Sequence, residues 1–472
     1  MKNKNIALLI FITILAAGCQ LGPKYHPPCT AAPEEWKNNF QEETTSLPIV
    51  CNWWEVFQDE TLNELEELAV ANNPDLFLAI ARIEEAWANA GISRADLFPQ
   101  LNFNPSAQSL DVRARINPSQ GNPLLNNLPR RNHFDPSFYN LPLFVNYELD
   151  LWGKYRSAYD SALRNVEAQQ QAYQTALLTL TSDLASSYYN ARSLDAVIDY
   201  LAAMLETYRK NLELDQSRFE KGLITYLNVI NDQVALTNAE SEYYDALRSR
   251  GLQENMIAAL IGIPASDFCL AHMPLKDSPP IIPTGIPSTM LLRRPDVAQA
   301  ERERASDHAL IGVAYASFFP SLDLTGTVGF ISLDLQDFVK VMARYGGLGA
   351  SVNQTVFDGL RKYENYEAAW ARFKEADSAY KQQVLIAFKE VEDALNNLEF
   401  QEKQSDSLQK SFEASAEATR LARRRYNEGV TNYIEVIVDE RTELNAGVNY
   451  YEILGLRHQS TIQFIKALGG GW

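Results

Sequence analysis

The chain has 472 residues, 46% of them hydrophobic and 22% charged, which suits a large buried core and, at roughly 150 residues per domain, about three domains. Sixty Asp and Glu against 42 Lys and Arg give a net charge of −18 with no dense basic stripe, so nucleic acid is not an expected partner. The longest charge-free apolar run, residues 6–17, is twelve residues long; this excludes a helical membrane span, which needs roughly 20, but not transmembrane β-strands, whose trace is weaker.

The N-terminus carries Lys2 and Lys4, then the apolar run, then Ala16-Ala17-Gly18-Cys19, the charged, apolar and small order of an export signal. It resembles a bacterial lipoprotein signal, in which residues 1–18 are removed and Cys19 is acylated; Ala16 stands where Leu is commoner, with Leu15 one position earlier. An ordinary signal peptide with an incidental cysteine is the alternative. Gln20, rather than Asp, implies the outer membrane. Acyl chains at roughly 0.8 kcal/mol per buried methylene would anchor the protein firmly. Residues 19–60 read as a lipid-anchored extended segment. Cys29, Cys51 and Cys269 show no metal-ligand spacing, and a Cys29 to Cys51 bridge is left open.

The chain repeats itself. Pro74-Asp75, Gly91, Ala95, Phe98-Pro99 and Leu101 recur as Pro295-Asp296, Gly312, Ala316, Phe319-Pro320 and Leu322, all at an offset of 221. Arg218, Gly222, Tyr226, Val229 and Asp232 recur as Arg425, Gly429, Tyr433, Val436 and Asp439 at an offset of 207. Two halves follow, residues 61–262 and 288–472, joined by a connector over 263–287 that holds six prolines and cannot be a helix.

Each half contains one very long helix. Residues 154–221 and 360–428 contain neither Gly nor Pro, a length on the order of 100 Å at 1.5 Å per residue. Leu177, Leu184, Ala191, Ile198, Leu205, Leu212 and Phe219 fall at seven-residue steps, and Val384, Val391 and Leu398 do the same, which predicts coiled-coil packing. Shorter helices over 75–97 and 224–262 are expected to stack end to end beside the long one. Period-two alternation predicts strands at about 138–152 and 321–333, and more weakly at 101–117 and 345–357. Four strands cannot close a barrel alone, so strands in lipid require an oligomer.

The series Trp53-Trp54-x-x-Phe57, Asn73-Pro74-Asp75-Leu76, Tyr147-Glu148-Leu149-Asp150-Leu151-Trp152-Gly153, Arg293-Arg294-Pro295-Asp296, Phe318-Phe319-Pro320 and Arg425-Tyr426-x-x-Gly429 resembles the lipoprotein branch of the TolC-like outer-membrane efflux channels. The resemblance covers nearly the whole chain. It implies a mainly α protein with a membrane β part: a homotrimer with a twelve-stranded β-barrel continuous with a twelve-helix coiled-coil tube through the periplasm. It further implies a passive exit duct of a tripartite efflux, or type I secretion-like, system, working with a periplasmic adaptor (membrane fusion protein) and an inner-membrane pump of the RND type. In relatives the tube closes at a periplasmic tip just after the Arg-x-x-x-Gly motifs, here Arg218 to Gly222 and Arg425 to Gly429. Glu435 falls where relatives carry a constricting carboxylate, Asp439 lies beside a second such position occupied by Val438, Arg441 matches a basic position, and Tyr426 matches a gate tyrosine. Asn228 is the first-half counterpart of Glu435. Rings of such carboxylates would attract cations; solvated positions on a helix face are the alternative.

The five histidines are scattered, with no His-Glu-x-x-His or Gly-x-x-x-x-Gly-Lys pattern, so no metal, nucleotide or other cofactor is expected apart from lipid on Cys19. A lipid-anchored coiled-coil spacer or adhesin without a pore is the competing reading, and a periplasmic enzyme a third.

Overall fold

The computed structural model describes residues 20–28, 33, 36–37, 52–109, 112–114, 132–134, 137–275, 278–282, 293–333, 340 and 343–470. Cys19 and the signal region lie outside them. The chain forms two compact units: residues 1–26, 85–166 and 303–377 make one, and residues 27–84, 167–302 and 378–472 the other. Among the described residues no helix is long and apolar enough to cross a membrane.

After a 3₁₀ turn at Trp53–Phe57, which interrupts the segment expected to be extended, come α1 (Glu60–Asn72) and α2 (Pro74–Ala95). Strands β1 (Gln100–Phe103), β2 (Ser106–Ser109), β3 (Val112–Ala114), β4 (Asn132–Phe134) and β5 (Ser137–Leu149) follow. Then come α3 (Lys154–Glu220), α4 (Tyr226–Leu260), α5 (Pro295–Ala316), β6 (Ser321–Ser332), β7 (Arg344–Asn353), α6 (Arg361–Asn427) and α7 (Tyr433–Ala467). The duplication is visible in the lengths: α2 and α5 have 22 residues each, α3 and α6 67, and α4 and α7 35.

In the first unit β5 pairs with β1 and β2 on one side and β6 on the other, and β6 pairs with β7, all antiparallel. The expected strand over 101–117 is interrupted at Asn104-Pro105, and its described parts are β1, β2 and β3. Its register is nonetheless constant, since Phe103 faces Leu143, Ser106 faces Asn140 and Val112 faces Phe134. The gap at Asn104-Pro105 falls opposite Leu141-Pro142, where neither proline can donate a ladder hydrogen bond. On its other side Pro142 faces Gly329, where a Cβ would stand 2.9 Å from the Pro142 Cα.

Register and period two put Leu101, Phe103, Leu141, Leu143, Val145, Leu322, Leu324, Val328, Leu348 and Val352 on one face of this sheet. Asn102, Asn140, Asn146, Asp323, Thr325, Thr327 and Ser351 lie on the other. The apolar face is not covered: Leu101 is 63% exposed, Val352 67% and Leu348 95%. A sheet in water hides such a face.

The sheet runs into α3 through the Glu148 to Gly153 motif. Glu148 accepts from the Tyr155 hydroxyl at 2.6 Å and from Lys154 at 3.2 Å, while Asp150 accepts from the Arg156 backbone N–H at 2.9 Å. Trp152 donates to the Pro320 carbonyl at 2.8 Å and stacks on Phe319. The segment that follows Cys19 is fastened here: the Leu21 N–H donates to the Trp152 carbonyl, and Gln20 donates to Ser157 at 3.1 Å. Arg304 holds its other end through Tyr25 and pairs with Asp377 at 2.7 Å.

The second unit is a helical body. Leu62, Leu184, Tyr188, Ile257 and Ile462 are fully buried around Trp53 and Trp54. The Trp53 indole donates to Thr181 at 3.1 Å, and Tyr188 donates to Asp59, which also caps α1. Asn73 caps α2 through the Asp75 N–H and donates to the Leu260 carbonyl. Arg294 meets Asp296 and Glu390 at 2.6 Å each and donates to the Ala467 carbonyl. The motifs that carry the family resemblance are thus caps and clasps. Along α3 the heptad seam is buried from Leu184 to Leu212 and opens at Phe219, which is 40% exposed.

Candidate functional site

The two helical hairpins, α3–α4 and α6–α7, turn over the same backbone. Gly222 has φ 72° and Gly429 φ 73°. The Gly222 and Leu223 N–H groups donate to the Phe219 and Arg218 carbonyls, and the Gly429 and Val430 N–H groups donate to the Tyr426 and Arg425 carbonyls. This is the left-handed closure that glycine adopts at no steric cost.

The turns lie against each other. Arg218 reaches the Asn427 side chain at 3.2 Å and pairs with Asp215 at 3.2 Å. Asn228 donates to the Tyr426 hydroxyl at 3.4 Å while accepting from Thr225 at 2.8 Å. Tyr426 packs on Tyr433 with ring centroids 4.9 Å apart. Arg425 pairs with Glu435 at 2.8 Å, Thr431 also donates to Glu435, and Asn432 caps α7 by accepting the Glu435 N–H at 3.2 Å. The expected residues therefore fall into three groups: Arg218, Asn228 and Tyr426 hold hairpin to hairpin, Gly222 closes the first turn, and Arg425, Gly429 and Glu435 brace the second turn. Asp439 is half-buried one helical turn beyond Glu435, and Arg441 is exposed. Cys19 lies outside the described residues.

A deeper set was not anticipated. Tyr433 donates to Asp232, Arg423 pairs with Glu440 at 2.6 Å, and Arg423 donates to Asn211 at 2.8 Å. Asn211, Asp215, Arg218, Arg423, Tyr433 and Glu440 line a cavity of about 60 Å³, with Tyr426 and Asn427 among its other walls. Burial pushes the Asp232 carboxyl up to about 6 and the Glu440 carboxyl up to about 7, and raises Asp215 and the Tyr433 phenol as well. Asp232 had a sequence signal, its match to Asp439 across the repeat. Asp215, Arg423 and Glu440 had none, since a charge on a long helix reads as a solvated face.

Among the described residues no group of three or more His, Cys, Asp or Glu could hold a metal ion. The arrangement has no nucleophile paired with a base, and its chemistry is that of a charged, hydrogen-bonded clasp between two helical hairpins.

A family profile described as outer membrane efflux protein matches residues 65–263 and 286–470. The chain is 30% identical over 445 residues, 94% of its length and 92% of the relative's, to the pyoverdine export outer membrane protein OpmQ of Pseudomonas putida. It is 28% identical over 475 residues, 99% of its length and 95% of the relative's, to the outer membrane protein OprJ of Pseudomonas aeruginosa. Among solved structures, the outer-membrane channel OprN superposes with a TM-score of 0.87 at 27% identity, covering 96% of this chain and 100% of that one. The Campylobacter jejuni CmeC outer membrane channel gives 0.87 at 27% identity, covering 96% and 95%.

Proposed function

Because the chain belongs to the outer membrane efflux protein family, we propose that three copies of it assemble into a passive exit duct, a twelve-stranded barrel continuous with a helical tube closed at the Gly222 and Gly429 turns. The protein is an outer-membrane efflux channel that extends into the periplasm, and it is not an enzyme. As an outer-membrane component of an efflux pump it works with adaptor and inner-membrane pump partners. The pump is of the RND type in this reading.

One observation carries the assembly. The sheet exposes its apolar face, and β7 and the β1–β2 side are both edges among the described residues. In hydrocarbon an unpaired edge costs several kcal/mol per backbone group, and pairing the β7 edge of one copy with the β1–β2 edge of the next removes both. Four strand paths per chain make an even-numbered barrel of twelve with three copies. Lipid on Cys19 fits the same boundary, because Gln20 and Leu21 are fastened beside Trp152 at the end of β5.

At the tip, Asn228 and Tyr426 form the latch, and Glu435, with Asp439 one turn on, supplies carboxylates to the narrow end. Outer-membrane fractions run on SDS gels without boiling test the assembly: a trimer band is expected, and soluble monomer after membrane washing would exclude it. Planar-bilayer recordings test the tip. Glu435→Ala is expected to lower cation selectivity, and unchanged conductance and selectivity would remove Glu435 from the pore.

A further inference from the structure

Behind the Asn228–Tyr426 contact, four helices bring ionisable side chains together: Asp215 and Arg218 from α3, Asp232 from α4, Arg423 from α6, and Tyr433 and Glu440 from α7. Asp215, Asp232 and Glu440 are each only 3% exposed. Three carboxyls therefore meet two guanidiniums. One oxygen of Asp215, one oxygen of Asp232 and the Asn211 amide nitrogen, all buried, have no hydrogen-bond partner. A buried carboxylate with a bare oxygen is costly as an anion and much less so as an acid.

We propose that this cluster is a proton-operated lock: proton uptake by Asp232 and Glu440 holds the two hairpins together, and proton loss loosens them. The lock rests on the reading of these turns as the closed end of a channel.

The groups facing the two carboxyls fix the sign. Asp232 faces Tyr433, Asp215 and Arg423; Glu440 faces Arg423, Asp232 and Glu443, and the Tyr208 hydroxyl of α3 donates to its backbone carbonyl at 3.3 Å. Arg218 serves Asp215, and burial raises Glu242 of α4, with the charge of Arg441 opposing it. Burial is the main cause that raises Asp232 to about 6 and Glu440 to about 7, with Arg423 opposing both. Hairpins that part return the carboxyls to water and to the ordinary range near 4. The packed form therefore binds protons more tightly. It gains on the parted form as pH falls through 7 and 6, and loses that advantage as pH rises through the same window. Arg423, 30% exposed, keeps water when Glu440 is neutral.

The test uses the full-length protein at about pH 5.5 and about pH 8. Openings in planar bilayers are expected to be at least about tenfold rarer at the lower pH. Amide hydrogen exchange over residues 211–232 and 423–443, corrected for its intrinsic pH dependence, is expected to slow in parallel. The double variant Asp232→Asn, Glu440→Gln keeps the shapes and fixes both groups neutral. It is expected to be protected and seldom open at both pH values. Asp232→Asn alone, which leaves the Arg423–Glu440 pair, keeps part of the response. Faster exchange at the lower pH, or an undiminished pH response in the double variant, would overturn the lock. A protein that conducts at neither pH but keeps the exchange response would overturn the channel-tip reading while supporting the lock.

Discussion

The two hairpin turns share a backbone and differ in what they carry. Gly222 and Gly429 have the same φ within one degree and the same pair of closing hydrogen bonds. Yet the first turn presents Asn228, neutral and linked to the opposite hairpin, where the second presents Glu435, charged and paired within its own hairpin. One turn further into the bundle the asymmetry reverses: Asp232 of the first half is buried, whereas its counterpart Asp439 is half-buried. Duplication fixes the chain path, and substitution within that path divides clasp from charge.

The largest expected effect comes from Arg423→Ala, which strips Glu440 of its cation inside the clasp. Allowing for the partial exposure of Arg423, the loss is about 2–3 kcal/mol, read by denaturant unfolding at about pH 8, where Glu440 is ionised. A loss under about 0.5 kcal/mol would mean the pair is hydrated and the clasp not buried.

Next come Gly222→Ala and Gly429→Ala. No heavy atom stands within 4 Å of a Cβ at either position, so only the left-handed backbone resists, at about 1 kcal/mol each. Equal losses in separate unfolding curves are expected. Unequal ones would break the equivalence of the two turns.

Asn228→Ala removes one hydrogen bond between hairpins and is expected to cost about 0.5–1 kcal/mol while raising the conductance of the closed channel a few-fold. Loss of stability without a change in conductance would make the contact a brace rather than a latch. Glu435→Gln should be the mildest for stability, because both partners of its pair are about half exposed, and such pairs contribute under about 1 kcal/mol. Its effect belongs to ion selectivity, measured by reversal potentials in a salt gradient.

Much of the fold was legible because it is periodic. Uninterrupted stretches without Gly or Pro become 67-residue helices, matched blocks become helices of equal length, and alternation from Leu141 to Leu149 and from Leu322 to Phe330 becomes paired strands. The interruption at Asn104-Pro105 within the strand expected over 101–117 was not legible, because Pro105 and Pro142 act across the sheet and their opposition exists only once the register is known. Of the candidate site, Tyr426, Asn228, Arg218 and the two glycines were readable from the duplicated motif. The carboxyls behind them were not, since burial of Glu440 depends on Arg423, seventeen residues away on another helix.

The sequence by itself determined the duplication, the helix lengths, the alternation of the strands and the residues at each turn, because these depend on local chain geometry and on spacing along one chain. Only the tertiary structure decided which residues share a face of the sheet and which side chains the hairpins enclose. Those depend on the register between strands and on helix packing, and it is packing that turns Asp232 and Glu440 from ordinary surface acids into groups that hold their protons near neutral pH.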